Sequence, residues 1–189
     1  MQTVIRGASQ LKVTRSRMAP GSSAGTGGRW TSRLPVEAVQ PPYHLFRRDI
    51  EAGLLPYAAA YHIGVLAYGP LAHGLLGGAI TEATTFGADD WRSHSPAFTG
   101  PGFRRNLEVV AALGRFAADR GATIAQLAVA WVLAHPAVQV AIVGSRTPAH
   151  LQESVGAVNL TLSQGDLAEI DSIMAAAVPL GGPTPEGMT

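Results

Sequence analysis

The sequence predicts an α/β fold built on a parallel β-sheet. Three short, mainly apolar runs at residues 36–39, 64–68 and 138–143 have the length of strands. The run at 64–68 is apolar throughout, as in strands buried on both faces of a parallel sheet. Segments with helical spacing separate the runs and follow the last one. This alternation is typical of parallel sheets, because each parallel connection needs a crossover that is usually a helix.

The first strand is predicted to end before Pro41 and Pro42, because proline cannot donate to a strand ladder. Asp49 is a candidate cap for the next helix. Its apolar face is predicted to contain Ile50, Leu54, Ala58 and Tyr61. After the second strand, residues 69–102 form a long segment rich in glycine and proline, which we interpret as a loop.

Four further helices follow from spacing and capping signals. The first carries Phe103, Leu107, Val110, Gly114 and Ala117 on one face. Thr123 and Gln126 form a capping box for the second, which ends before Pro136. Thr147 and Pro148 begin the third, and Ser163 with Asp166 caps the last. The third helix is predicted to bury Leu151, Val155 and Val158, and the last Leu167, Ile170, Ile173 and Met174.

Composition excludes several classes of protein. With 189 residues and 47% apolar residues, the chain can bury one ordinary core. It has no run near the ~20 apolar residues of a membrane helix, and we expect no membrane association. The absence of cysteine excludes a disulfide framework and a thiolate metal site, and fits a cytoplasmic location. The six histidines show no ligand spacing, so we predict no metal site.

Residues 1–34 differ chemically from the rest of the chain. They contain six basic residues and no acidic one, whereas residues 35–189 carry eight basic and thirteen acidic residues. A transit peptide, a basic arm for nucleic acid, and sequence never selected to fold are three interpretations. We favour the third and expect a disordered leader. Nucleic-acid binding is the weakest of these interpretations, because Trp30 is the only aromatic residue among the basic residues of this segment.

Several motifs beyond residue 35 resemble the bacterial aldo-keto reductases and occur in the family's order. They are Gln40-Pro41-Pro42-Tyr43-His44-Leu45-Phe46-Arg47-Arg48, Leu54-Leu55-Pro56-Tyr57, Ile63-Gly64-Val65-Leu66-Ala67-Tyr68-Gly69-Pro70-Leu71, Ala125-Gln126-Leu127-Ala128-Val129-Ala130-Trp131-Val132-Leu133, Ala141-Ile142-Val143-Gly144-Ser145-Arg146 and Gly181-Gly182-Pro183-Thr184-Pro185-Glu186-Gly187-Met188. The resemblance implies a (β/α)8 TIM barrel, which normally needs ~250 residues. The three strands would be the family's sixth, seventh and eighth, so we expect an incomplete barrel.

By the same resemblance, strands one to five and the family's catalytic Asp, Tyr, Lys and His would lie in a half that this sequence lacks. The single lysine, Lys12, stands outside every matching motif, and we assign no catalytic residue. Residues 7–9 faintly resemble the fifth-strand motif. We interpret the leader as the product of a shifted reading frame or a misassigned start, which the upstream nucleotide sequence would test.

The resemblance implies NADP as cofactor. Tyr68 would stack on the nicotinamide ring, Gln40 would hold its carboxamide, and Glu153 would contact the adenine amino group. The pyrophosphate would lie against Gly69, Pro70, Leu71, Ala72 and His73. His150 and Ser154 stand where the family usually has Gln and Asn, so their hydrogen bonds to the adenine would have a different reach. Ala79 replaces a frequent lysine, so one charge partner of the phosphates is lost.

The loop after the last strand is a natural phosphate site on physical grounds. Unpaired N–H groups and the positive end of the helix dipole meet at a helix N-terminus. Here the loop is Gly144-Ser145-Arg146-Thr147, and the guanidinium of Arg146 suits the 2′-phosphate of NADP. From spacing alone an ordinary turn with a solvated arginine is the better interpretation; the resemblance favours the cofactor site.

Two functions remain open from the sequence. The first is NADPH-dependent reduction of a small aldehyde or ketone, with catalysis impaired in this chain. The second is a non-catalytic remnant that binds NADP weakly. Because a partial barrel leaves strand edges unpaired, we also expect self-association through open sheet edges.

Overall fold

The computed structural model describes residues 2–6, 36–145 and 147–181, with backbone alone for 2–6. Within these ranges the strands are β1 (Gln2–Arg6), β2 (Ala38–Val39), β3 (Gly64–Tyr68) and β4 (Val140–Gly144). The helices are α1 (Leu54–Ala60), α2 (Gly100–Ala118), α3 (Ile124–Ala134), α4 (Pro148–Val155) and α5 (Gln164–Met174). Short 3-10 turns precede α1, lie within the long loop and follow α4.

The sheet confirms the predicted parallel arrangement. Strands β2, β3 and β4 are parallel neighbours, with Val39 opposite Val65 and Tyr68 opposite Ile142. The sheet is open, and the order of its described strands is β1-β4-β3-β2. Parallel pairing is possible because α1 crosses from β2 to β3, and α2 and α3 cross from β3 to β4.

Strand β1 was not predicted, and it changes one expectation about the edges. It lies antiparallel to β4 along the whole strand, from Gln2 opposite Gly144 to Arg6 opposite Val140. We expected the outer edge of β4 to be unpaired, but β1 supplies its hydrogen-bond partners. The β-branched run Thr3-Val4-Ile5 favours a strand, but its pairing with β4 is a distant contact that no local pattern shows. The remainder of the expected disordered leader, residues 7–34, lies outside the described residues.

Capping signals in the sequence locate most helix starts correctly. Thr123 and Gln126 form the predicted capping box at α3, and Ser163 and Asp166 form the one at α5. Asp49 was wrongly assigned as a helix cap. It begins a 3-10 turn, no side chain caps α1, and α1 starts only after Gly53, which has a non-helical φ of −142°.

The core lies between the sheet and the helices. Helix α3 is apolar on nearly every side and buries seven of its residues, so it occupies the centre of the helical layer. On α2, Asn106 is fully buried and forms two hydrogen bonds with the backbone of Val178, at 3.0 and 2.8 Å. This contact directs the chain after α5 towards the segment between β2 and α1, where the N–H of Leu180 donates to the carbonyl oxygen of Phe46 at 3.0 Å.

Three residues expected on buried faces are exposed instead. Tyr61 is 64% exposed, Val155 46% and Val158 53%. Periodicity identifies an apolar face but does not show that the described part of the chain covers it. Among the described helices, none is long and apolar enough to cross a membrane.

Candidate functional site

The carboxyl ends of β2 and β3 bring together the first group of candidate residues. Gln40 follows β2 and is exposed, whereas Tyr68 ends β3 and is half-buried. The chain after Gln40 continues beside β3: the N–H of Tyr68 donates to Pro41 O at 3.0 Å, and the N–H of Tyr43 donates to Tyr68 O at 3.1 Å. These bonds hold Gln40 and Tyr68 at the same end of the sheet.

The segment from Gly69 to His73 turns sharply at this end. Gly69 has a φ of 69°, which glycine adopts without steric cost. Ala72 and His73 also have positive φ values, 48° and 57°, which are uncommon for residues with a Cβ atom. Arg92 supports this turn by donating from its guanidinium to His73 O at 3.0 Å. Pro70 and Ala72 are buried, and Leu71 is half-buried.

A histidine pair lies beneath the turn. His44 is 2% exposed, and its ring centroid is 6.0 Å from that of His73, edge to face. Burial, with lesser contributions from His73 and Arg47, lowers the pKa of His44 from 6.5 to about 3. Burial also lowers the pKa of His73, assisted by Arg47 and Arg92. Both imidazoles are therefore neutral at pH 7, and they add no positive charge for a phosphate.

The long loop forms one wall of a cavity of about 680 Å³, lined by His73, Gly87, Asp89, Asp90, Trp91 and Arg92. The ring of Trp91 is 4.9 Å from that of His73 and 5.6 Å from that of Phe98, which is 3% exposed. The aromatic residues of this loop therefore pack on one another. Arg92 pairs with Asp90 at 2.6 Å, so its charge is already partly neutralised.

The second group of candidates surrounds the start of α4. The hydroxyl of Ser145 donates to Thr147 O at 2.7 Å, and Thr147 Oγ1 accepts from the N–H of His150 at 3.3 Å. These bonds close the loop between β4 and α4. Gly144 is exposed, and a Cβ there would meet no described atom within 4 Å. Arg146 lies outside the described residues.

The candidate adenine contacts have different environments. His150 is exposed and Glu153 is half-buried, so both side chains are accessible. Ser154 is only 3% exposed, and its hydroxyl donates to His150 O at 2.9 Å. The hydroxyl proton of Ser154 is therefore already donated to a backbone carbonyl within α4. Ala79 is exposed in the loop and offers no charge.

Sequence reasoning did not foresee the burial of His44 or the contact that Arg92 makes with His73. Apart from its place in a family motif, His44 was considered only as a metal ligand, and its position between Tyr43 and Leu45 in an apolar run was the available signal of burial. Arg92 acts on a residue nineteen positions away, which no local pattern shows. Among the described residues, no group of three or more His, Asp or Glu side chains could hold a metal ion.

The sequence matches known proteins over most of its length. The pattern of the Aldo/keto reductase family matches residues 21–175, and thus begins within the leader that we had separated at residue 35. Aldo-keto reductase YhdN of Bacillus subtilis is 39% identical over 150 residues, which are 78% of this chain and 45% of YhdN. Aldo-keto reductase yakc of Schizosaccharomyces pombe, named for NADP(+), is 32% identical over 87% of this chain and 49% of its own.

A solved structure shows the same relationship. The glycerol dehydrogenase of Gluconobacter oxydans superposes with a TM-score of 0.73 at 36% identity, over 80% of this chain and 46% of the dehydrogenase. The chain therefore spans about half the length of the relatives that it matches. Its three parallel strands align with part of a (β/α)8 barrel, as the sequence predicted.

Proposed function

Because this chain belongs to the aldo/keto reductase family, we propose that it forms the nucleotide-binding side of an NADP-dependent carbonyl reductase. The relatives that it matches are about twice as long, so the complete reaction would need more residues than those described. The role of this chain in that reaction is to bind the cofactor and to orient it.

The observation that supports the proposal most is the geometry between β4 and α4. The loop of Gly144, Ser145, Arg146 and Thr147 joins the carboxyl end of a central strand to a helix N-terminus, where backbone N–H groups and the helix dipole favour an anion. Arg146 would bind the 2′-phosphate of NADP, since a guanidinium presents its donors in a planar fork. Ser145 would add a hydroxyl. The yeast relative that is named for NADP(+) matches this region at 32% identity overall.

The residues at β2 and β3 fit the other end of the cofactor. Half-buried Tyr68 would offer a ring face to the nicotinamide, and the exposed amide of Gln40 would bind its carboxamide. The turn from Gly69 to His73 would pass the pyrophosphate, where buried Pro70 and Ala72 keep the backbone rigid. The nearby His44 and the turn residue His73 have lowered pKa values and stay neutral, so the phosphate charge would be balanced mainly at α4.

On the adenine side, His150 and Glu153 are the accessible contacts. Buried Ser154 keeps its proton within α4 and could only accept a hydrogen bond from the base. This is a weaker arrangement than an asparagine at the same position, which both donates and accepts. We therefore expect weaker adenine binding than in a protein with Asn there.

In a complete enzyme, bound NADPH supplies a hydride to the carbonyl carbon of a small aldehyde or ketone. The carbonyl oxygen then needs a proton from an acid within hydrogen-bond reach. We assign that acid to none of the described residues. The contribution of this chain is to fix the ring through Tyr68 and Gln40 and to anchor the phosphates at α4.

Nucleotide titration of the purified chain tests the proposal. We expect NADP to bind with a dissociation constant at least ~10-fold lower than NAD, a difference of about 1.4 kcal/mol. Arg146→Ala should remove this preference, because only the 2′-phosphate distinguishes the two nucleotides. Arg115→Ala on the exposed surface of α2 is the matched control and should retain it. An Arg146→Ala protein that still discriminates as well as the parent would remove Arg146 from the site.

A further inference from the structure

We propose that Arg92 is a positioning residue of the nucleotide site: it holds the turn from Gly69 to His73 in the shape that faces the pyrophosphate, without contacting the nucleotide itself. The inference rests on the proposed function and adds to it a residue of the long loop after β3. Its support comes from the strain of the turn and from the contacts around one guanidinium group.

The turn contains consecutive residues in a conformation that most side chains disfavour. Ala72, His73 and Gly74 have φ values of 48°, 57° and 96°. Glycine adopts such angles freely, but Ala72 and His73 carry a Cβ atom that crowds the backbone there. Backbone of this kind persists only where surrounding contacts hold it. A group that stabilises the turn is therefore needed.

The guanidinium of Arg92 provides this contact. Its Nη1 atom donates to His73 O at 3.0 Å, in the middle of the strained residues. A hydrogen bond from a charged donor is stronger than one between neutral groups. The same nitrogen also lies against Gly74, where an added Cβ would be 3.5 Å from it. Arg92 therefore packs on the turn as well as bonding to it.

Arg92 is itself held in place by its own loop. Its Nε and Nη2 atoms donate to the two carboxylate oxygens of Asp90 at 3.0 and 2.6 Å, and its backbone N–H donates to Asp90 Oδ1 at 3.0 Å. The guanidinium carbon lies 4.4 Å from the centre of the Phe86 ring. This arrangement directs Nη1 towards His73. Turning the guanidinium towards a phosphate would break its bonds to Asp90 or to His73.

The neighbouring tryptophan holds the side chain of the same turn residue. The ring of Trp91 meets that of His73 edge to face at 4.9 Å, and it also contacts the buried ring of Phe98 at 5.6 Å. The carbonyl group and the imidazole of His73 are thus fixed by consecutive residues. The long loop therefore sets the shape of the turn before any nucleotide binds.

The shape of the turn should decide how well it receives a pyrophosphate. A binding site must hold its groups within about 0.5 Å of the productive geometry. Without Arg92, Ala72 and His73 would relax towards ordinary φ values, and their backbone groups would move. Affinity should then fall for a ligand that reaches the turn and stay the same for one that contacts only the loop before α4.

Titration of the full 189-residue chain with two ligands, followed by NMR, tests this expectation. NADP would span both regions, whereas adenosine 2′-monophosphate has the 2′-phosphate but no pyrophosphate. For Arg92→Ala, the dissociation constant of NADP should rise about 10-fold, as for the loss of one charge-assisted hydrogen bond. That of adenosine 2′-monophosphate should stay within about 2-fold of the parent value. Equal weakening of both ligands would indicate a general loss of structure and would overturn the proposal.

Substitution of Asp90 separates positioning from direct contact with the phosphate. Asp90→Asn loosens the guanidinium, and Asp89→Asn removes the same charge from the adjacent exposed residue, for which the structure gives no contact with Arg92. The dissociation constant of NADP should be about 3-fold higher for Asp90→Asn than for Asp89→Asn. If Arg92 bound the phosphate itself, its release from Asp90 would make this ratio smaller than one, and the positioning role would be wrong.

Amide hydrogen exchange without nucleotide measures the turn directly. The N–H groups of Gly74 and Leu76 both donate to Leu71 O, at 2.9 and 3.1 Å. Arg92→Ala should lower their protection about 10-fold. Arg104→Ala is the matched control, because it removes an exposed arginine that also forms an ion pair of 2.6 Å with the long loop. It should leave the protection of both amides and the affinity for NADP unchanged.

The two measurements distinguish this inference from the proposed function. Exchange that is unchanged in Arg92→Ala would overturn the positioning role even in a chain that binds NADP. A parent chain that binds neither ligand would overturn the proposed function and the effect on affinity. The exchange measurement would still decide whether Arg92 holds the turn.

Discussion

Burial of a single imidazole makes His44 the most pH-sensitive residue of the candidate site. Its Nδ1 atom has no hydrogen-bond partner among the described residues, and its neighbours include His73 and the guanidinium of Arg47. A proton on His44 would therefore be neither solvated nor paired. Protonation instead occurs in the unfolded chain, where the imidazole is in water.

We predict that stability decreases as the pH falls below about 6.5. The folded pKa of His44, about 3, lies below its unfolded value of 6.5, so its full contribution exists above pH 6.5 and is lost progressively towards pH 3. One such group gives a slope approaching about 1.4 kcal/mol per pH unit. Urea unfolding at several pH values between 7 and 5 gives the free energy of unfolding as a function of pH. For the His44→Asn protein this dependence on pH should be weaker than for the parent by about this amount.

The comparison uses the change in the free energy of unfolding per pH unit, so it is independent of any constant loss of stability that the substitution itself causes. His62→Asn is the control, because His62 is exposed and its positive φ of 56° suits asparagine. The free energy of unfolding of the His62→Asn protein should change with pH as steeply as that of the parent. An unchanged slope in the His44→Asn protein would show that the imidazole is not buried in its neutral form.

Helices α3 and α4 are joined by a polar contact that also caps α3. Gln126 uses both ends of its amide: Oε1 accepts from the N–H of Thr123 at 2.9 Å, and Nε2 donates to Glu153 O at 3.1 Å. Gly156 makes room for this amide, because an added Cβ would overlap Gln126 Nε2. The glycine thus preserves the position of α4, on which the candidate phosphate loop depends.

Two glycine-to-alanine substitutions should have opposite effects. Gly114→Ala lies inside α2, where an added Cβ meets no described atom within 4 Å, and should raise the free energy of unfolding by about 0.5–1 kcal/mol. Gly156→Ala should lower it by about 1 kcal/mol, because it displaces the Gln126 amide from Glu153. Thermal and urea unfolding measure both. Equal stabilisation by the two substitutions would mean that the Gln126 contact contributes nothing.

At the scale of the whole molecule, the described strands form an open sheet that carries candidate residues at one end. The described strands β2, β3 and β4 place Gln40, Tyr68 and Gly144 at one end. No acid of the family's catalytic set is assigned to this sequence.

We predict that the purified chain alone shows no NADPH-dependent reduction of aldehydes above background. Loss of a positioned acid removes about 10²–10⁴-fold in rate, and loss of its oriented partners removes more. The decrease in NADPH absorbance with several aldehydes measures this. Turnover near ~1 per second, an ordinary enzymatic rate, would require an acid catalyst that we have not identified.

The sequence by itself determined the α/β class, the parallel order of three strands and the capping boxes at Thr123 and Ser163. These features depend on local signals: runs of apolar residues, their spacing, and side chains that bond within a few positions. The family motifs also located the candidate cofactor residues at strand ends. Their roles remain predictions.

Only the tertiary structure decided which apolar faces are covered and which edges are paired. Tyr61 and Val158 have the spacing of buried residues, yet both are exposed in the part of the chain that the structure describes. Ser154 is buried and bonded within α4, while His44 packs against His73, twenty-nine positions away. Strand β1 pairs antiparallel with β4 through backbone N–H and C=O groups, which do not depend on the side chain. Burial and edge pairing are properties of distant contacts, and a local pattern does not encode them.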